Sequence, residues 1–221
     1  MEEHLPGDGV QRDHALNAML LLEDIDFVAE ARSGNGSSGG DHELNLHIDV
    51  NSPLLTKQAT WSNGVVMPWS VTYDATTGEV NFDIAGQSLQ WTGLGKFGEL
   101  FVRTRAASAN SSTLVDNMVL TLDSTVYTLS GSSHAYQTDD GSLVNDRDVL
   151  RVYNIPDYTT ATLTGDMTFS WTGSMPTHSS LDMGLKFGHD VPEPATAGLL
   201  GVGGLLMLLR RRRAKSGLSG R

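Results

Sequence analysis

Leu44-Asn45-Leu46-His47-Ile48-Asp49-Val50 alternates apolar and polar side chains. A period of two places Leu44, Leu46, Ile48 and Val50 on one side of an extended chain, the pattern of a half-buried strand. The same kind of run recurs downstream, at 64–73, 79–84, 88–92, 100–105, 115–122, 125–130, 149–153, 162–171 and 181–187. Between two of these, Asp74-Ala-Thr-Thr-Gly78 has the composition of a tight hairpin turn. About ten short strands with no helix between them predict an all-β, antiparallel fold. Two packed sheets, a β-sandwich or jelly roll, are the expected way to bury one face of each strand. The 24 glycines suit a chain of many turns.

Upstream of Leu44 the pattern is weaker. Residues 13–31 read as an amphipathic helix or an irregular lead-in, and Ser33-Gly-Asn-Gly-Ser-Ser-Gly-Gly40 as a flexible linker. The predicted organisation is therefore a lead-in and Gly/Ser linker at 1–40, a β-sandwich at 41–190 and a distinct tail at 191–221. Near the front, Gly7-Asp8-Gly9-Val10 hints at a calcium loop, but the positions two and four before Asp8 are Pro6 and His4. Neither supplies the carboxylate or amide oxygen such a loop needs.

Charge narrows the function. Residues 191–221 set one acid, Glu193, against Arg210, Arg211, Arg212, Arg213, Lys215 and Arg221, a net of +5, so the other 190 residues carry −16 of the total of −11. An acidic body argues against nucleic acid, whose phosphates require a basic face. With no cysteine in the chain, disulfides, thiolate zinc sites and a cysteine nucleophile are excluded.

The tail is the most informative segment. Ala195-Thr-Ala-Gly-Leu-Leu-Gly-Val-Gly-Gly-Leu-Leu-Met-Leu-Leu209 is fifteen uncharged residues. As a helix it would cover roughly 22 Å, shorter than the ~30 Å hydrocarbon core of a bilayer. Arg210, Arg211, Arg212 and Arg213 then form a stop-transfer block on the cytoplasmic side, with stems able to snorkel and lengthen the span. Pro192 and Pro194 disfavour helix before the apolar run begins. A short single C-terminal transmembrane helix is expected, in the inner membrane.

Val191-Pro192-Glu193-Pro194, a Gly- and Leu-rich span and a terminal arginine cluster, in that order, resemble the PEP-CTERM sorting signal of Gram-negative-type bacteria. The resemblance implies recognition at Pro192, Glu193 and Pro194 by an exosortase, an integral-membrane protease. It further implies loss of the span and arginines and passage of the body to the cell surface or extracellular matrix. The alternative is a plain single-pass anchor. Here the chain continues from Lys215 to Arg221, a little longer than such tails usually run. Export also calls for an N-terminal signal, whereas Met1 to Asp13 carries Glu2, Glu3, Asp8 and Asp13, the reverse of a basic n-region. The expectation is a true start upstream of Met1.

The body resembles the lectin-like β-sandwich domains of other PEP-CTERM proteins, through Val71-Thr-Tyr-Asp-Ala-Thr-Thr-Gly78, Val115-Asp-Asn-Met-Val-Leu-Thr-Leu122 and Leu185-Lys-Phe-Gly188. There is also an internal echo. Ser88-Leu-Gln-Trp-Thr-Gly93 is similar to Thr168-Phe-Ser-Trp-Thr-Gly173, and Lys96-Phe-Gly98 to Lys186-Phe-Gly188.

Three groups of side chains are candidates for a site. His42-Glu-Leu-Asn-Leu-His47 has its histidines five apart, which misses the one-face spacing of a zinc helix, and on a strand they point to opposite sides. Asp139, Asp140, Asp146 and Asp148 form the densest set of oxygen ligands, a candidate calcium loop. Polar hairpin loops are also commonly rich in Asp. Trp61 and Trp69, flanked by turn residues, are the candidates for exposed rings stacking on a sugar, whereas Trp171 shares a face with Phe169 and reads as core.

No Gly-x-Ser-x-Gly elbow, phosphate loop or dinucleotide fingerprint occurs. Two function classes result. The first is an exported, non-catalytic surface or matrix protein, structural or adhesive, without a cofactor beyond the candidate calcium. The second is a glycan-binding or glycan-cleaving module, with exopolysaccharide as partner.

Overall fold

The computed structural model describes residues 10–12, 25–34, 43–47, 55–138 and 146–188. The chain divides into two compact units, Met1–Asp190 and Val191–Arg221, and every described residue lies in the first. Fourteen strands make two antiparallel sheets, with no helix among the described residues.

The first sheet runs β10 (Thr125–Thr128), β9 (Ser111–Leu122), β13 (Thr160–Trp171), β5 (Val66–Asp74), β6 (Glu79–Ile84) and β7 (Gln87–Trp91), and β11 (Ser133–Gln137) also pairs with β9. The second runs β1 (Val10–Arg12), β12 (Asp146–Val152), β8 (Glu99–Ala106), β14 (Leu181–Gly188), β2 (Ile25–Arg32), β3 (Leu44–His47) and β4 (Leu55–Lys57). The all-β sandwich expected from the alternation is the architecture observed.

Burial follows the period of two. In β5, Met67, Trp69, Val71 and Tyr73 are buried while Val66 and Pro68 are exposed. In β13, Ala161, Leu163, Met167 and Phe169 are buried between half-buried threonines. Opposite them, Leu100 and Val102 of β8 and Leu181, Met183, Leu185 and Phe187 of β14 supply the second inner face. At one end the aromatic rings interlock. Phe27 and Phe187, paired in register, stack at 4.2 Å, and Phe97 sits against Phe187 at 4.9 Å and Tyr158 at 5.2 Å. The two Lys-Phe-Gly segments of the sequence echo are thus neighbours, joined also by the Gly98 N–H donated to the Gly188 carbonyl at 2.9 Å.

Two expectations are corrected. Residues 25–32, placed in a helix or irregular lead-in, are β2, a strand between β14 and β3. Ile25, Phe27, Ala29 and Ala31 alternate, and the last three are fully buried; packing has overridden the helical preference of alanine. The second sheet therefore begins well before residue 41. Residues 133–137, outside the strand-like runs of the sequence, are β11, whose inward residues Ser133 and Ala135 are too small to signal a strand. Ser133 works in a buried hydroxyl seam instead. Its Oγ lies 3.0 Å from Thr104 Oγ1 and donates to the Asp148 carbonyl, joining β11 to the second sheet.

The overhang of β13 is finished by a side chain. Beyond the last β5 pair, Thr168 with Val66, Asn63 Nδ2 donates to the Trp171 carbonyl at 2.8 Å and Asn63 Oδ1 accepts the Trp171 N–H at 2.9 Å. The carboxamide presents a donor and an acceptor in the places where a neighbouring strand would.

The two sheets differ in charge. Every lysine and arginine in a described strand belongs to the second sheet, on β1, β2, β4, β8, β12 or β14. Several of these cations are paired on its outer side: Arg151 with Glu99, and Arg103 with Asp182 and Glu30. The first sheet has none among its strands. Its outer side carries mostly Thr, Ser, Asn and Gln, with a few acids and the exposed Val66, Val126 and Tyr136.

Candidate functional site

A concavity of about 640 Å³ lies on the outer side of the first sheet. Two irregularities shape it. Between β6 and β7 the chain turns through Ala85 and Gly86 at φ of 52° and 71°; positive φ at both central residues is the geometry of a tight two-residue hairpin. On the far side, the pairing of β13 with β9 shifts register between Thr164 and Asp166. Two residues of β9, Asn117 and Met118, oppose the single Gly165, and Asn117 adopts a left-handed φ of 51°. This is a β-bulge, and asparagine tolerates that conformation. The extra residue turns both Asp116 and Asn117 outward and keeps Met118 buried.

Between hairpin and bulge, the sheet supplies a transverse row. Thr164 of β13 pairs with Ser70 of β5, Ser70 with Asp83 of β6, and Asp83 with Ser88 of β7. Asp166 and Pro68 form the next pair along. Asn117 Nδ2 donates to Asp166 Oδ2 at 2.9 Å, which fixes both at the rim. The lining adds Gln87 and the apolar Ile84 and Ala85, and contains no lysine, arginine or histidine. Parallel to this row runs a second one, Thr121–Thr162–Thr72–Asn81–Gln90, uncharged throughout. Sequence reasoning missed this site because its residues lie on five strands. The legible signal was the alternation itself, which puts these polar side chains on one outer face.

Trp61 and Trp69 are not exposed platforms; both are core residues, 4% and 3% exposed. Trp61 packs edge-on against Phe169 at 5.4 Å and donates its Nε1–H to the Arg32 carbonyl at 2.9 Å, linking the sheets. Trp69 shares the inward side of β5 with Met67 and Val71. The turn residues near them suggested exposure, but the strand period governs Trp69, and a satisfied indole N–H lets Trp61 be buried. Trp171 is half-buried against the core beside Phe169, as its face predicts.

Of the candidate calcium ligands, Asp139 and Asp140 lie outside the described residues, and Asp146 begins β12. Asp148 is buried on β12 and accepts the His134 N–H at 2.8 Å. His47 sits 3.3 Å from Glu30, and His42 lies outside the described residues.

A ladder of charge crosses the outer side of the second sheet. Burial pushes the Asp182 carboxyl up to about 6, against the neighbouring Arg103 guanidinium at 2.6 Å. Burial works in the same direction on Glu30, but the His47 hydrogen bond and the Arg103 charge outweigh it and hold that carboxyl below its ordinary value. At the aromatic end, burial drives the Tyr158 hydroxyl far above the usual phenol range. Tyr158 donates to the Phe97 carbonyl and accepts the Phe97 N–H. These groups serve the fold.

Of the Ser33–Gly40 tract read as a linker, Ser33 is buried and its Oγ accepts the Leu181 N–H at 2.9 Å; residues 35–40, Pro192, Glu193, Pro194, the apolar span and Arg210 to Arg213 lie outside the described residues. Among the described residues no helix is long and apolar enough to cross a membrane. Among curated proteins, none matches the chain. Residues 190–213 match the family of the PEP-CTERM protein-sorting motif. That match supports a chain addressed to exosortase, processed at a membrane and exported to the surface or exterior of a Gram-negative-type cell, as the order of the tail's three parts predicts.

Proposed function

We propose that this is a non-catalytic surface or matrix protein, delivered by exosortase, whose sandwich works by contact. The single observation that carries the reading is the spacing between fold and signal. The last strand, β14, ends at Gly188 and the sorting motif begins at residue 190. A cut near Pro192-Glu193-Pro194 would therefore release the whole sandwich and discard only the span and arginines. The test is intact mass spectrometry of the chain expressed in an exosortase-containing host. A surface-fraction species lacking Ala195 to Arg221 supports the reading; a species still ending at Arg221 shows that the tail is only an anchor.

The glycan-binding reading gains support from the cleft on the first sheet, and exopolysaccharide is the partner an exported protein of this kind would meet. Binding without bond cleavage is the form we adopt.

A further inference from the structure

We propose that the cleft between the 84–87 hairpin and the Asn117 bulge binds an uncharged, polyhydroxylated ligand, a segment of neutral glycan. This rests on the reading of an exported contact protein and specifies what it would contact.

The first argument is chemical. Carboxylates accept hydrogen bonds and donate none, so Asp83 and Asp166 call for a ligand rich in donors. Asn117, Gln87 and the row of hydroxyls both donate and accept, which suits a ligand whose groups do the same. Sugar hydroxyls meet both demands. A lining without lysine, arginine or histidine offers nothing to a phosphate, sulfate or uronate, and the two carboxylates repel anions. The lack of strand cations extends this selection across the whole face of the first sheet.

The second argument is geometric. A volume of about 640 Å³ falls within the usual range for small-ligand sites. The Asn117–Asp166 hydrogen bond holds two of the polar groups in place before any ligand arrives, and ordering done in advance is not charged against binding. Pro68 and Ala85, both exposed, give apolar surface for the C–H faces of a sugar ring. The uncharged row from Thr121 to Gln90 spans four strand spacings, about 19 Å. A track of that length beside the cleft fits an oligomer better than a single sugar. Trp69 borders the cleft only as a buried ring, 3% exposed, and Trp61 does not line it, so recognition here works through hydrogen bonds on a sheet face without an exposed indole.

The experiment uses the full-length chain purified in mild detergent, so that its result does not depend on export. Cellohexaose, maltohexaose, mannohexaose and N-acetylchitohexaose are each titrated calorimetrically, with trigalacturonate as the anionic comparison. At least one neutral hexasaccharide is expected to bind with a Kd below 1 mM, roughly, and trigalacturonate not at all. Asp166→Asn and the exposed-site variant Asp83→Ala should each weaken binding about tenfold, about 1.4 kcal/mol, with the melting temperature unchanged. The proposal is overturned if none of the four neutral sugars binds, if both variants bind as well as the parent, or if trigalacturonate binds equally. Sorting is scored separately by fractionation. Loss of binding with normal processing, or the reverse, tells which of the two readings has failed.

Discussion

The indole of Trp69 occupies the space that a side chain on Gly165 would fill. The two residues face each other across β13 and β5. A Cβ at position 165 would lie 2.6 Å from Trp69 Cζ2 and 3.0 Å from Cε2. Both ring atoms belong to a buried side chain. Gly165→Ala should therefore destabilise the protein by about 1–3 kcal/mol through overpacking. Adding Trp69→Phe should recover much of that loss, because the smaller ring vacates the contact. The Trp69 Nε1 has no hydrogen-bond partner among the described residues, so the phenylalanine also removes a buried donor whose desolvation costs about 1–3 kcal/mol. Urea denaturation of the four members of the cycle checks the coupling; additive losses would contradict it.

Trp61 makes a graded prediction. Trp61→Ala should cost about 3–5 kcal/mol, as truncation of a buried tryptophan does. In Trp61→Phe the packing on Phe169 is largely kept while the Arg32 carbonyl loses its donor, and the cost should fall to about 1–2 kcal/mol. A Trp61→Ala variant with unchanged denaturation midpoint would place the ring outside the core.

The pH dependence follows from Asp182. Its carboxyl titrates near 6 in the folded protein and near the ordinary aspartate value, about 3.9, when unfolded. A raised carboxyl pKa means that the folded state binds the proton more tightly between these values, so stability falls as pH rises through that window. The contribution is complete below about pH 4 and lost above about pH 6. Glu30, held low, acts in the opposite sense, adding stability above its unfolded value that is lost on acidification. The difference between wild type and Asp182→Asn isolates the first effect. Wild type should gain on the variant as pH is lowered from 7 to 4. Urea midpoints at four pH values check this, and a gap that widens toward neutrality would refute it.

The tail predicts two distinct failures. Glu193→Ala, or replacement of Pro192 and Pro194 by alanine so that helix can continue, should leave full-length chain in the inner membrane of an exosortase host. Deleting Arg210 to Arg213 should weaken membrane retention before any cut, because the stop-transfer charge is gone. Fractionation followed by intact mass distinguishes the two.

Much of the sandwich was legible, and the misses have physical causes. Glu79–Ile84 was read with its observed bounds, and β5, β9 and β13 within a few residues, because long alternating runs carry the strand signal strongly. Four strands, β1, β2, β4 and β11, carried no strand reading, and β1 and β4 are only three residues long. In β2 the inward Ala29 and Ala31 are small and favour helix in isolation, and in β11 the inward residues are Ser133, Ala135 and Gln137. Where the core takes small or polar side chains, periodicity loses its contrast. Beyond the alternation that turns its polar residues outward, the cleft was not legible. Asp83 and Asp166 are far apart in sequence, and only the register of β13, β5 and β6 gathers them. Only the tail could be read from order alone, since its three parts are contiguous.

The Asn63 carboxamide against Trp171 has a consequence for life at high density outside the cell. A sheet normally ends in a row of backbone groups that any passing extended segment can extend. At the overhang of β13 that invitation is withdrawn, since the N–H and C=O of Trp171 are already answered by a side chain of the same molecule. The seal needs no added strand, no proline and no charge. A crowd of identical copies, or a half-translocated neighbour, finds no template there on which to build a shared sheet.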